Sequence, residues 1–213
     1  MKSNVYQEAS GTATLNRRRD DQNRAAAQPE QNKEEMMKKM AAAGTPGQEH
    51  KALNALEGNW KAEVRCLMEQ GDQNEQGEQG EQGEHGEQGE HGEKTQATAK
   101  KSWILGRRFL EEEFHGEMMG KSFTGKGLIG FDNAKRQYQS VWLDDFNTVI
   151  HTSEGKGENG NKVITLEGKA DCPATGEKDV PMKHVLRVIS QDKHVLEMFR
   201  DGKKAMEITY TRQ

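Results

Sequence analysis

The stretch GNWKAEVRCLM, residues 58–68, decides the fold. Trp60, Ala62, Val64 and Cys66 alternate with Lys61, Glu63 and Arg65. That is the period of a strand with one face on a core and the other in water. Just upstream, QEHKALNAL (48–56) places Leu53 and Leu56 on one side of a short helix. Downstream, strand grammar recurs to the last residues. The runs are Thr95 to Leu105, Phe109 to Met118, Ser122 to Phe131, Gln137 to Leu143, Thr148 to Gly157, Lys162 to Ala170, Met182 to Ser190, His194 to Arg200 and Lys204 to Arg212. Turn residues separate them: Asp132-Asn133, Glu158-Asn159-Gly160-Asn161, Cys172-Pro173 with Gly176, and Asp201-Gly202, whose pair suits a type I′ turn. Ten short strands joined mainly by short turns form a meander, and closing a meander removes the edges that invite aggregation. The expected fold is all-β: a single up-and-down antiparallel barrel of about ten strands, with a short N-terminal helix and a disordered N-terminal tail.

Composition sorts the rest of the chain around that barrel. Only 31% of the 213 residues are hydrophobic, below the roughly 45–50% apolar share, glycine included, of a globular domain. The deficit lies in residues 1–45 and 69–93. Residues 1–29 read as a disordered tail, and EQNKEEMMKKMAAA within 30–44 as a short helix with Met36, Met37 and Met40 at helical spacing. Residues 45–213 read as the barrel domain, carrying a disordered acidic insertion at 70–93.

That insertion holds EQGEQGEQGEHGEQGEHGE (75–93), which sits between the first two strands and so occupies a hairpin loop. Its glycine period matches collagen, but it has no proline to hold extended chains and a Glu in every unit. Loop closure tolerates such growth at about 0.6 kcal/mol per doubling of length. His85 and His91 are its only metal-binding candidates, and two imidazoles in a flexible chain make no preorganised site.

The net charge of −4 is a sum of unlike parts. Residues 69–93 carry eight Glu and one Asp without Lys or Arg, leaving the remainder positive. Arg17-Arg18-Arg19 is the one compact basic cluster, and Asp20-Asp21 follows at once, so a nucleic-acid partner is not expected. No run reaches the roughly 18 apolar residues of a membrane span. The N-terminus shows no apolar signal core, and a cytoplasmic location with free Cys66 and Cys172 is the expectation.

Gly58-Asn59-Trp60 opening the first strand after a short helix resembles the G-x-W signature of calycin barrels. That resemblance implies that Trp60 closes one barrel end and that Arg212, in the final MEITYTRQ, packs across its ring. TPGQEHKALNALEGNW, KSWILGRRFLEEEFHGEMMGKSFTGKGLIGFDN, HTSEG and MEITYTR together resemble a bacterial domain-of-unknown-function family, number 1579, with a lipocalin-like barrel. The family implies a fold and no activity, and its pattern has a short loop where this chain has the acidic repeat.

A calycin-like barrel holds one small ligand between its walls. The first reading is therefore a binder of a small, mainly apolar molecule, with Tyr138, Trp142, Arg187, Glu197 and Tyr210 as candidate lining, the inward parity being left open. A structural or interaction module with a filled barrel is the second reading. Haem binding is a third, through His151, His184 or His194. An enzyme finds little support, with no nucleophile elbow, P-loop or zinc signature. Glu111 and Glu113 share a strand face with His115 while Glu112 points the other way. The sequence assigns no cofactor and no oligomeric state.

Overall fold

The computed structural model describes residues 30, 32–67, 93–118, 120–172 and 175–213. The N-terminal tail expected over 1–29 and most of the acidic insertion, with His85 and His91, fall outside these residues. The chain divides into two compact units, Met1–Thr45 and Pro46–Gln213.

In the first unit, residues 32–44 form helix α1. Its turns are tied by the i,i+4 pairs Glu34–Lys38 and Glu35–Lys39, and the Thr45 hydroxyl donates to the Ala41 carbonyl at 2.6 Å. Met36, Met37 and Met40 are all more than half exposed.

The second unit is a closed antiparallel barrel. Helix α2 (Gln48–Ala52) and a 3-10 turn (Leu53–Leu56) lead into ten strands: β1 (Gly58–Cys66), β2 (Glu93–Ile104), β3 (Phe109–Met118), β4 (Lys121–Asp132), β5 (Gln137–Asp144), β6 (His151–Glu158), β7 (Val163–Ala170), β8 (Val180–Ser190), β9 (Lys193–Arg200) and β10 (Lys203–Arg212). Each strand pairs with its sequence neighbours, and β10 returns to β1 with Trp60 opposite Arg212 and Cys66 opposite Met206. Among the described residues no helix is long and apolar enough to cross a membrane.

The turns follow their chemistry. Asp201 and Gly202 both take positive φ, 46° and 77°, the geometry of a tight hairpin turn. β6 begins three residues later than the sequence suggests, at His151. The Asp144 carboxylate collects the amides of Phe146 and Asn147, and the Asn147 side chain takes that of Val149, so these backbone donors are used before strand pairing resumes.

One end of the barrel is plugged. Leu53 and Leu56, 0% and 2% exposed, pack with Leu110, Tyr138, Ile164, Leu166 and Leu186. The Tyr138 hydroxyl donates to the Glu49 carbonyl at 2.9 Å, tying α2 to β5. Trp60 Nε1 donates to the Leu56 carbonyl. Arg212 lies 4.2 Å from the Trp60 ring and donates to the carbonyls of Glu57, Ala55 and Gln191. Gly58 is required there: its φ is +132°, and a Cβ would stand 2.3 Å from Arg212 Nη1.

Candidate functional site

Strand parity follows from which residues are buried. Trp60, Ala62, Ala97, Ala99, Phe114 and Tyr210 form one core cluster, so even positions of β1, β3 and β10 and odd positions of β2 face inward. Lys101 and Glu112 therefore share the inner wall, directly opposite each other in the β2–β3 register. They are charged residues standing in the apolar phase of their strands.

Around them an interior polar cluster assembles. Lys101 Nζ lies 3.3 Å from Glu112 Oε1 and 3.1 Å from His194 Nε2, and 4.0 Å from the Tyr210 ring centre. The Tyr210 hydroxyl donates to Glu112 at 3.1 Å. His194 stacks on Tyr210 with centroids 4.3 Å apart and meets Trp60 edge-on, also at 4.3 Å. Lys101 is 6% exposed and His194 0%. An ammonium cannot accept a hydrogen bond, so His194 Nε2 is the acceptor and the imidazole proton resides on Nδ1, which has no partner.

Electrostatics follow burial. Desolvation lowers Lys101 from its ordinary value, opposed by the Glu112 carboxylate. His194 is pushed down to about 2, first by burial and then by the Lys101 and Arg212 charges, and stays neutral. Burial raises Tyr210, with Glu112 adding to it. A neutral imidazole, a paired ammonium and carboxylate, and a protonated phenol engage one another here, leaving His194 Nδ1 unpartnered.

The far end of the barrel, away from α2, differs. Inward-facing Val64, Met118, Trp142 and Met206 pack on the core only partly buried. The Trp142 indole lies across Gly125 and Gly127 of β4, where added Cβ atoms would come within 2.2 and 3.2 Å of it. It packs against Phe114 and Phe123 and donates to Asp144 Oδ2 at 3.0 Å. Ser140 and Ser153 bond across β5 and β6 at 2.8 Å. His184, which shares its strand face with the buried Leu186, has an unpartnered, buried Nε2. Burial, then the charge of His151, lowers its pKa.

The candidates read from sequence are thus spread through the molecule. Tyr210 stands in the polar cluster, Trp142 at the far end, and Tyr138 in the plug. Arg187 and Glu197 lie elsewhere. Alternation from Leu186 and from His194 and Leu196 turns both to the outer face, where Arg187 pairs with Glu197 at 2.8 Å and Lys204 joins Glu197 and Glu207. Among the haem candidates, His194 has its Nε2 committed to Lys101 and its ring enclosed by Trp60 and Tyr210. Of the acidic run, Glu113 pairs with Lys126 outside while Glu112 turns inward. Lys101 was missed, although its place between Ala99 and Trp103 is the same kind of signal.

The fold defines a ten-stranded up-and-down barrel plugged at one end by a helix and a Trp–Arg lock. The chain belongs to the family described as "Protein of unknown function (DUF1579)", whose model matches residues 45–212. No curated protein matches it significantly. Among solved structures it is similar to a redesigned beta barrel at 13% identity, covering 76% of this chain and 95% of that one, with a TM-score of 0.37.

Proposed function

We propose that the barrel takes up one small, mainly apolar molecule through the end away from α2, as calycin-like barrels do. One observation carries this reading: at the end away from α2 the inner wall carries several large apolar side chains that stop short of full burial. At the α2 end Leu53, Leu56, Tyr138 and Ile164 are sealed at 0–2% exposure. At the far end Met118, Trp142, Met198 and Met206 remain half-buried. An apolar wall that water reaches gains stability from an occupant that displaces that water. Trp142 then lies against the occupant, and the two serines and His184 offer it polar contacts.

The test is a fluorescence titration of the full-length chain with an apolar probe such as 8-anilinonaphthalene-1-sulfonate and with a medium-chain fatty acid, stoichiometry being read by native mass spectrometry. Saturable one-to-one uptake that perturbs Trp142 emission and is abolished by the mouth-filling Met206→Trp supports the reading. Failure of either probe to bind, or uptake that Met206→Trp leaves unchanged, would favour a filled scaffold instead.

A further inference from the structure

The strand register brings three soft or borderline metal ligands into one row on the inner wall. Met206 of β10 stands opposite Met198 of β9, and Met198 opposite His184 of β8. All three face inward: Met206 packs on the core cluster that holds Ile208, while Met198 and His184 lie two residues from Leu196 and Leu186. Neighbouring Cβ atoms across antiparallel strands are about 5 Å apart. The two outer members of the row are therefore roughly 10 Å from each other, with the third between them. A thioether sulfur and an imidazole Nε2 extend far enough beyond Cβ for all three to meet above the middle strand.

One further observation points to a ligand here. The Nε2 of His184 is buried without a hydrogen-bond partner, a costly condition for a polar atom unless something completes it. In addition, the described residues contain no group of three or more His, Cys, Asp or Glu able to hold a metal ion. Among the described residues, hard and borderline cations, which need oxygen, several imidazoles or thiolates, find no set of three such donors. Two thioethers and one imidazole suit a soft monovalent ion.

We propose that Met206, Met198 and His184 form a three-coordinate site for a soft monovalent ion, cuprous copper or silver, on the inner wall at the far end of the barrel. Cys66 lies opposite Met206 on the side away from Met198, three strand steps or roughly 15 Å from His184, which makes it the rival soft donor. The site stands independently of the apolar-ligand reading, because metal affinity is measured with no organic ligand present.

The full-length chain is titrated anaerobically with Cu(I) against the chromogenic chelator bicinchoninate, and with Ag(I) under NMR observation of ¹³C-methyl methionine. One barrel-bound ion per chain is expected, with the Met198 and Met206 methyl resonances shifting first. Met198→Leu, Met206→Leu and His184→Phe should each weaken that ion by roughly tenfold or more, and Zn(II) should not compete for it. Thermal unfolding of the near-isosteric leucine variants checks that the barrel is intact; a variant that fails to fold leaves the methyl shifts of the native chain to decide. The assignment is overturned if the two methyl resonances stay still while other methionines move. It also falls if the folded leucine variants bind as the native chain does, or if Cys66→Ser removes the ion and His184→Phe does not.

Discussion

The two ends of this barrel are built on opposite principles. At the α2 end the polar groups of the lock are committed: Trp60 to the Leu56 carbonyl, Tyr138 to the Glu49 carbonyl, and Arg212 to three carbonyls and an indole face. At the far end Met118, Trp142, Met198 and Met206 are half-buried, sulfur replaces branched aliphatics, and an imidazole nitrogen lacks a partner. Between them sits the Lys101–Glu112–Tyr210–His194 cluster, held by its own contacts except at His194 Nδ1.

The sharpest way to break this division is to unpair the middle. Glu112→Leu strands a buried ammonium, and an uncompensated buried charge costs about 3–5 kcal/mol. The double variant Lys101→Met/Glu112→Leu should recover much of that loss in urea unfolding, since an apolar pair leaves no charge behind. If the double variant is no better than the single one, the cluster is not a closed unit. Next comes the lock. Arg212→Met removes a cation over Trp60 and strips donors from three carbonyls; at about 1–3 kcal/mol for buried partners left unmade, the melting temperature should fall by several degrees. Gly125→Ala tests the far end. Its Cβ meets the Trp142 ring at 2.2 Å, so a cost of about 1–3 kcal/mol from overpacking should come with a changed tryptophan emission spectrum.

The last test is in pH. His194 is neutral in the fold with its pKa near 2, whereas an unfolded histidine titrates near 6.5. Between these values only the unfolded chain binds the proton, so stability falls as pH falls, by about 1.4 kcal/mol per unit below roughly pH 6. His184 and the lowered carboxylates of Asp132 and Asp171 act in the same direction. The His194 share is isolated by His194→Gln, which keeps an acceptor for Lys101. Its unfolding free energy should have a shallower slope than the native protein's between pH 6 and 4.5, and equal slopes would place the proton elsewhere.

The two ends were unequally legible in the sequence. All ten strands were, because their apolar residues alternate on a period of two and most short turns carry Gly, Asn or Asp at a positive φ, with Leu105, Arg107 and Arg136 the exceptions. The lock was legible too, through G-x-W and a late arginine. The polar cluster was not, although its parity signal lay in plain view: Glu112 stands between Leu110 and Phe114, and Lys101 between Ala99 and Trp103. Alternation was read as a strand marker and not followed to its exceptions. Arg187 and Glu197 illustrate the complementary error. With the parity of β8 and β9 open, an ion pair on the outer face reads the same as one on the inner face. The methionine row needed the register, which joins residues 184, 198 and 206 across two hairpins and which no local pattern encodes.

The seam between β1 and β10 also imposes an order in time. Trp60 and Arg212 are partners across about three quarters of the chain, so the seam is the most distant contact in the barrel and carries a large loop-closure cost. The β2–β3 hairpin, which pairs Lys101 with Glu112, is local and forms cheaply. Tyr210 sits on the last strand and His194 on the one before it. Until those strands arrive, Lys101 and Glu112 face water, where a charged pair is at ease. Closing the seam is what desolvates them, so the final zipping step must bring Tyr210 and His194 with it, and a chain stalled before that step keeps an inner wall that is still wet.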